Sequence, residues 1–185
     1  MNMLAVIGVV LLILVIIVIS QYNKMVQYKH KVEESLSSVD VHLKLRFDLI
    51  PNLVSTVKGY AKHEKEVFEK LIETRKLAVK EKDEKKKLEY ANELVPQMVQ
   101  VLAIAEQYPE LKADTLYKNL MEELVLVEDK IAASRRFYDS NVTRYNTLIE
   151  VFPNNILASM FGFKSVELFK IEVGERIAVK IDMGE

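Results

Sequence analysis

The sequence predicts an all-α fold: one N-terminal transmembrane helix, then an elongated antiparallel bundle of three long helices with a short C-terminal helix. Three observations predict it. The first 22 residues carry no charged side chain, apolar residues further on recur every third or fourth position, and 185 residues include only five Gly and four Pro. Sparse Gly and Pro leave few sites for tight turns, so elements should be long and connections few. Half the residues are hydrophobic and 29% charged, a balance suited to amphipathic helices.

From Leu4 to Ile19 the chain is apolar apart from Gly8, and Tyr22 follows. About twenty helical residues at 1.5 Å rise each cover roughly 30 Å, the hydrocarbon thickness of a bilayer. Tyr22 falls where an amphipathic ring meets headgroups. A segment apolar on every side has no place as a half-buried helix of a soluble bundle. It lacks a basic n-region and exceeds an ordinary signal h-region, so residues 1–22 read as a retained anchor in contact with membrane lipid, not a cleaved leader. Lys24, Lys29 and Lys31 follow the span closely. The positive-inside bias then places the N-terminus outside and the bundle in the cytoplasm.

The body, residues 23–169, begins with the stripe Val32, Leu36, Val39, Leu43, Phe47, Ile50, Val54, Val57 and Ala61, whose steps average close to 3.6. No Gly or Pro lies between Gly8 and Pro51, so anchor and first body helix form one continuous element. Pro51 removes a donor and should bend the helix, which is expected to continue through Phe68, Leu71 and Ile72 toward Ala78. Lys80–Lys87, KEKDEKKK, is a solvated connection. A second helix carries Leu88, Ala91, Leu94 or Val95, Met98, Leu102 and Ala105, bends at Pro96 and ends at Tyr108-Pro109. The third holds helical phase through Leu116, Leu120, Leu124, Val127, Ile131, Ser134, Tyr138, Tyr145, Leu148 and Phe152, and Pro153-Asn154-Asn155 stops it. Ile156–Phe163 is a short apolar helix with Gly162 near its end. The tail after 170 alternates at Ile177, Val179 and Ile181 and reads as a short strand or an extension.

Several run-lengths of this chain have a recognisable wording. Tyr22-Asn23, Asp40-Val41-His42-Leu43-Lys44, Arg46-Phe47-Asp48-Leu49-Ile50-Pro51-Asn52-Leu53-Val54 and Thr56-Val57-Lys58-Gly59-Tyr60-Ala61-Lys62-His63-Glu64 resemble the LemA family. Arg135-Arg136-Phe137-Tyr138, Tyr145-Asn146, Phe152-Pro153 and Phe161-Gly162-Phe163 are similar to its later signatures. Leu36 stands where that family often has Trp, and Asp139 where it usually has Asn. The resemblance covers Tyr22 to Phe169. It implies one N-terminal transmembrane helix and a cytoplasmic helical bundle at a bacterial inner membrane. It brings no enzymatic activity to any residue; some relatives are associated with building internal membranes.

Chemistry-bearing patterns are thin. A net charge of −1 with interspersed signs lacks the footprint of a nucleic-acid binder, and the absence of cysteine excludes thiolate chemistry and disulfides. His63-Glu64 begins like a zincin helix, but Val67 stands where the second ligand belongs. Gln27, Val39 and Tyr60 precede His30, His42 and His63 by three, so no Glu-x-x-His pair exists for a di-iron bundle. No catalytic, cofactor or metal residue is assigned. Asp40, Lys44, Arg46, Asp48 and Asn52 form a polar group near Pro51, with the carboxylates expected to pair with Arg135 and Arg136 and fix packing register. Asn141 and Thr143 fit a glycosylation sequon without meaning in a cytoplasmic helix. Tyr138, Tyr145 and Phe152 are expected in the core. The functional expectation is a non-enzymatic, membrane-anchored scaffold or adaptor with a protein partner. The alternatives are a self-assembling structural protein that organises membrane and, last, an uncharacterised enzyme or metal protein.

Overall fold

A computed structural model describes residues 3–169 of the protein. The described residues are helical with connections and no strand: α1 Met3–Lys58, α2 Lys65–Lys80, α3 Glu84–Glu106, α4 Pro109–Ala113, α5 Thr115–Glu150 and α6 Asn154–Phe161. The alternating positions Ile177, Val179 and Ile181 lie outside the described residues.

The all-helical class and the unbroken passage from apolar segment into body helix both hold, since α1 runs through Pro51 to Lys58. The expected continuation to Ala78 does not. The chain leaves the helix at Gly59, where the amides of Tyr60 and Ala61 both donate to the Val57 carbonyl at 3.0 Å. Gly is a poor helix former and a ready terminator. Ala61 keeps its buried place on the stripe from within this turn, which is why the apolar phase ran on past the end of the helix. KEKDEKKK splits likewise: Lys80 ends α2, Asp83 caps α3 by accepting from the Lys86 amide at 2.9 Å, and only residues 81–83 connect the two helices. Pro109 ends α3 and also starts α4, because a missing N–H costs nothing at a first helical position.

The chain divides into two compact units. The unit Leu36–Ser134 is a four-helix arrangement of α1, α2, α3 and α5, with α4 as a connector. His42 opposes Ser134 and Arg46 opposes Glu128, so α1 and α5 run antiparallel. Asp40 meets Lys87 and Arg46 meets Ala91, so α1 and α3 run parallel, and α2 returns between them. The predicted stripe is buried here from Val39 to Val57, facing Phe68, Leu71, Leu94, Met98, Leu120, Leu124 and Ile131, all buried. Val101 takes the buried place expected for Leu102, and Leu116 is exposed.

The other unit joins α1 through Ser35 to the chain from Arg135 onward. Met25, Val32, Tyr138, Val142, Tyr145, Ile149 and Ala158 are buried there. Phe152 is not core: α5 ends at Glu150, and beyond it the side chain is 80% exposed. Helical phase has no authority past the last helical residue. Gly162 closes α6 at φ 75°, a left-handed C-cap that L side chains resist.

Apolar side chains of α1 from Val6 to Ile19, the half-buried Val18 apart, lie exposed in the one stretch among the described residues long and apolar enough to cross a membrane. Two helix starts lend themselves to a stability comparison. Asp83 caps one helix with one bond, whereas Asp114 accepts from the amides of Leu116 (2.7 Å) and Tyr117 (3.2 Å) and from the Tyr60 hydroxyl (3.3 Å). Asp83→Ala should cost about 1 kcal/mol, and Asp114→Ala closer to ~2 kcal/mol. Guanidinium unfolding in detergent micelles, followed by circular dichroism, measures both.

Candidate functional site

The polar group on α1 sits where the sequence placed it, but its partners differ from those expected. Arg46 is 1% exposed, the largest fully buried side chain described. One arm of its guanidinium donates to both Glu128 oxygens at 3.3 Å and the other to the Ala91 carbonyl at 2.6 Å. A planar fork can serve two acceptors on two helices at once, which an ammonium cannot do in the same geometry. Arg46 lies three residues after Leu43 and four before Ile50, on the apolar stripe itself. That spacing was the readable signal that it would be buried.

Asp48 pairs with Arg75 of α2 at 3.4 Å, and Asp40 with Lys87 of α3. These pairs stand where Arg135 and Arg136 were expected as partners. Arg135 instead lies 5.7 Å from the Phe169 ring centre.

Arg75 has a second task. Pro51 has no N–H, so it leaves the Phe47 carbonyl one turn back without its helical donor. The Arg75 Nε donates to that carbonyl at 2.9 Å. A side chain from α2 thus replaces the bond that Pro51 removes from α1. The run Arg46-Phe47-Asp48…Pro51 accordingly joins α1 to α2, α3 and α5.

The remaining candidate ligands are dispersed. His30 contacts Glu33 at 3.1 Å, His42 contacts the Ser134 hydroxyl at 3.3 Å, and His63-Glu64 lie in the turn before α2. Among the described residues no three His, Asp or Glu side chains gather as a metal ion would require. Burial first, then the Asp114 carboxylate, raises the Tyr60 hydroxyl above the usual phenol range. Asn141 of the sequon is buried in α5.

A family model described as "LemA family" matches residues 35–183, four-fifths of the chain. The chain belongs to the LemA family. It is 25% identical over 162 residues to Protein LemA of Metamycoplasma hominis, covering 87% of this chain and 74% of that protein. It is 41% identical over 69 residues to magnetosome protein MamQ of Magnetospirillum gryphiswaldense, 37% of this chain. Magnetosome protein MamQ 2 of Paramagnetospirillum magneticum is 40% identical over 70 residues. These alignments span about a quarter of the length of the magnetosome proteins.

The first LemA signature has an outer side as well. Leu45, Asp48, Leu49 and Asn52 of α1 and Glu123 and Leu126 of α5 line a shallow groove of about 300 Å³. Leu45 and Leu126 stand exposed in it, with acidic side chains at its edges.

The second signature, on α5, holds an extended segment. Asn146 donates to the Val166 carbonyl at 2.8 Å and accepts from the Val166 amide at 3.0 Å, replacing the pair of bonds a neighbouring strand would make. Tyr145 donates to the Lys164 carbonyl at 3.1 Å, Tyr138 to the Glu167 carbonyl at 3.2 Å, and Asp139 accepts from the Phe169 amide at 2.9 Å. Asp139 fills a place the family usually gives to Asn, and its role here needs only an acceptor. Burial, then the Glu33 carboxylate, raises the Tyr145 phenol, so the proton it donates stays on it. Tyr138 and Tyr145 are buried as expected, but with their hydroxyls spoken for by backbone.

Two outcomes follow. Arg75→Met should cost ~1–3 kcal/mol, the range for stranding a buried acceptor, and less when Pro51→Ala restores the N–H to Phe47. A double-mutant cycle by denaturant unfolding measures that coupling, and additive effects would reject the replacement bond. Asn146→Ala should speed hydrogen exchange at the Val166 and Phe169 amides by roughly tenfold or more, since two bonds of about 1 kcal/mol each are lost. Asp139→Asn should leave the Phe169 amide protected.

Proposed function

We propose that this LemA family member is a non-catalytic, membrane-tethered adaptor that offers its α1/α5 groove to a protein partner on the cytoplasmic side. The observation that carries this reading is the division of labour on the first signature. Arg46 and the Phe47 carbonyl face inward and are consumed by helix packing, while Leu45 and Asn52 of the same run stay outside and open. The continuous α1 connects that groove covalently to an apolar segment suited to a bilayer. Lys24, Lys29 and Lys31 after the span support the cytoplasmic side. An apolar floor with Asp48 and Glu123 at the margin fits a partner segment with aliphatic anchors and basic flanks.

Self-association is the second reading, favoured by the exposed Val41, Leu45 and Leu126, which a second copy could cover. The names of the magnetosome relatives connect them with an organelle, and a role in organising membrane would suit an assembling protein of this kind.

Photocrosslinking from residues 45 and 126 of the full chain in native membranes separates the readings by the mass of the product. A discrete product heavier than this chain's 21.3 kDa and not a multiple of it supports the adaptor. A dimer mass supports self-association. Leu45→Asp should abolish the product formed from residue 126 while changing stability by less than about 0.5 kcal/mol, as exposed substitutions do. No discrete product from either position rejects the groove.

A further inference from the structure

Helix α6 has the reverse of an ordinary surface pattern. Asn154 and Ala158, one turn apart, are its buried side, while Ile156 and Met160, also one turn apart, point to the outside. Met160 is 71% exposed, Phe161 is exposed beside it, and Phe152 just before α6 stands out further still. Residues 151–163 form a run of 13 without a charged side chain, bounded by Glu150 and Lys164. Exposed apolar residues collected on so short an element mark a contact surface, not chance scatter.

The position of α6 says what covers it. The Tyr22 ring meets the Phe161 ring edge-on with centres 4.9 Å apart and the Phe163 ring at 5.8 Å. Tyr22 lies three residues beyond Ile19, the last exposed aliphatic side chain of the apolar segment of α1, hence about 4.5 Å along the helix. Anything packed on Tyr22 lies within the interfacial layer when the apolar segment of α1 is in the bilayer, since that layer is the 5–10 Å or so occupied by interfacial helices. The exposed lysines Lys24 and Lys164 flank the same place and suit anionic headgroups.

We propose that α6 and Phe152 form a lipid-docking foot, seated in the membrane interface beside the anchor, with Ile156, Met160 and Phe161 inserted among headgroups and upper acyl chains. The foot rests on the reading of α1 as an anchor. It gives the protein a second attachment, which restricts how this unit can tilt about a single spanning helix. The Tyr22–Phe161–Phe163 ring cluster is the joint, and Gly162 supplies the left-handed turn that brings Phe163 back to it.

The chain has no cysteine, so single cysteines can carry a nitroxide label without competition. The full chain is reconstituted into vesicles of phosphatidylethanolamine and phosphatidylglycerol with a label at Ile156→Cys, Met160→Cys, Val10→Cys or Glu73→Cys. Collision with membrane-soluble oxygen is compared with collision with a water-soluble nickel chelate. The expected oxygen-to-nickel ratio at 156 and 160 is several-fold above that at 73 and below that at 10. A high ratio at 10 with a water-like ratio at 156 and 160 overturns the foot and leaves the anchor standing. Low collision with both reagents at 156 and 160 means cover by protein and also overturns it. A water-like ratio at 10 overturns the anchor and the foot together.

Discussion

A guanidinium buried among apolar side chains is the constraint on which the Leu36–Ser134 unit depends. Removing a charge from water costs several kcal/mol unless its donors are matched. The two terminal nitrogens of Arg46 are matched only when the Ala91 carbonyl of α3 and the Glu128 carboxylate of α5 both lie within reach of one planar group, and its Nε finds no acceptor among the described residues. Apolar contacts along Leu43, Phe47 and Ile50 tolerate a slip of α3 or α5 along α1, since one aliphatic surface resembles the next. The fork does not. A slip of one turn, about 5.4 Å, would strand the charge. Glu128 is 42% exposed, so the ion pair is open to water on the carboxylate side, which lowers the cost of keeping it. The arrangement gains register more than raw stability.

The proline five residues on sets a second, independent constraint. Pro51 within α1 leaves a carbonyl that only a donor from outside the helix can satisfy, and Arg75 is that donor. The same guanidinium also reaches Asp48, so its position is fixed at two points. α2 is therefore located by a defect in α1. Without the proline, the Arg75 side chain would have no vacant acceptor there, and α2 would be held by Phe68, Leu71 and the Thr74–Gln97 contact with α3.

Much of this was readable in the order of residues. The stripe from Val39 to Val57 and the apolar segment before Tyr22 followed from spacing alone, because periodicity reports burial directly. The turn at Gly59 escaped the same reading because Ala61 stays buried whether or not the helix continues. Arg46 was read only as part of a polar group near Pro51, although its spacing from Leu43 and Ile50 put it on the apolar face. Its partners, Glu128 and the Ala91 carbonyl, were not legible, because they depend on which helices become neighbours and at what level. Phe152 shows the converse error: it keeps helical spacing with Leu148 and Tyr145, but the chain has already left α5. The anchorage of residues 163–169 had no periodic signal, because extended backbone held by side chains has no period.

That extended segment shows how a helical protein can bind a strand-like partner within itself. Backbone amides and carbonyls away from regular structure need acceptors and donors. A helix surface offers no free backbone groups, since its own ladder uses them. α5 answers with side chains at 138, 139, 145 and 146, two turns of helix that reach residues 164, 166, 167 and 169 of the extended chain. Asn146 alone provides a donor and an acceptor to one residue, as a carboxamide can and a carboxylate cannot. The same segment returns Phe163 to Tyr22 and Phe169 to Tyr138, whose rings lie 4.7 Å apart. The second LemA signature is thus a clasp for a length of chain, and it places an uncharged helix, α6, between the end of α5 and that clasp. A chain so fastened on both sides of α6 holds the helix against Tyr22 without needing α6 to bury its own apolar side.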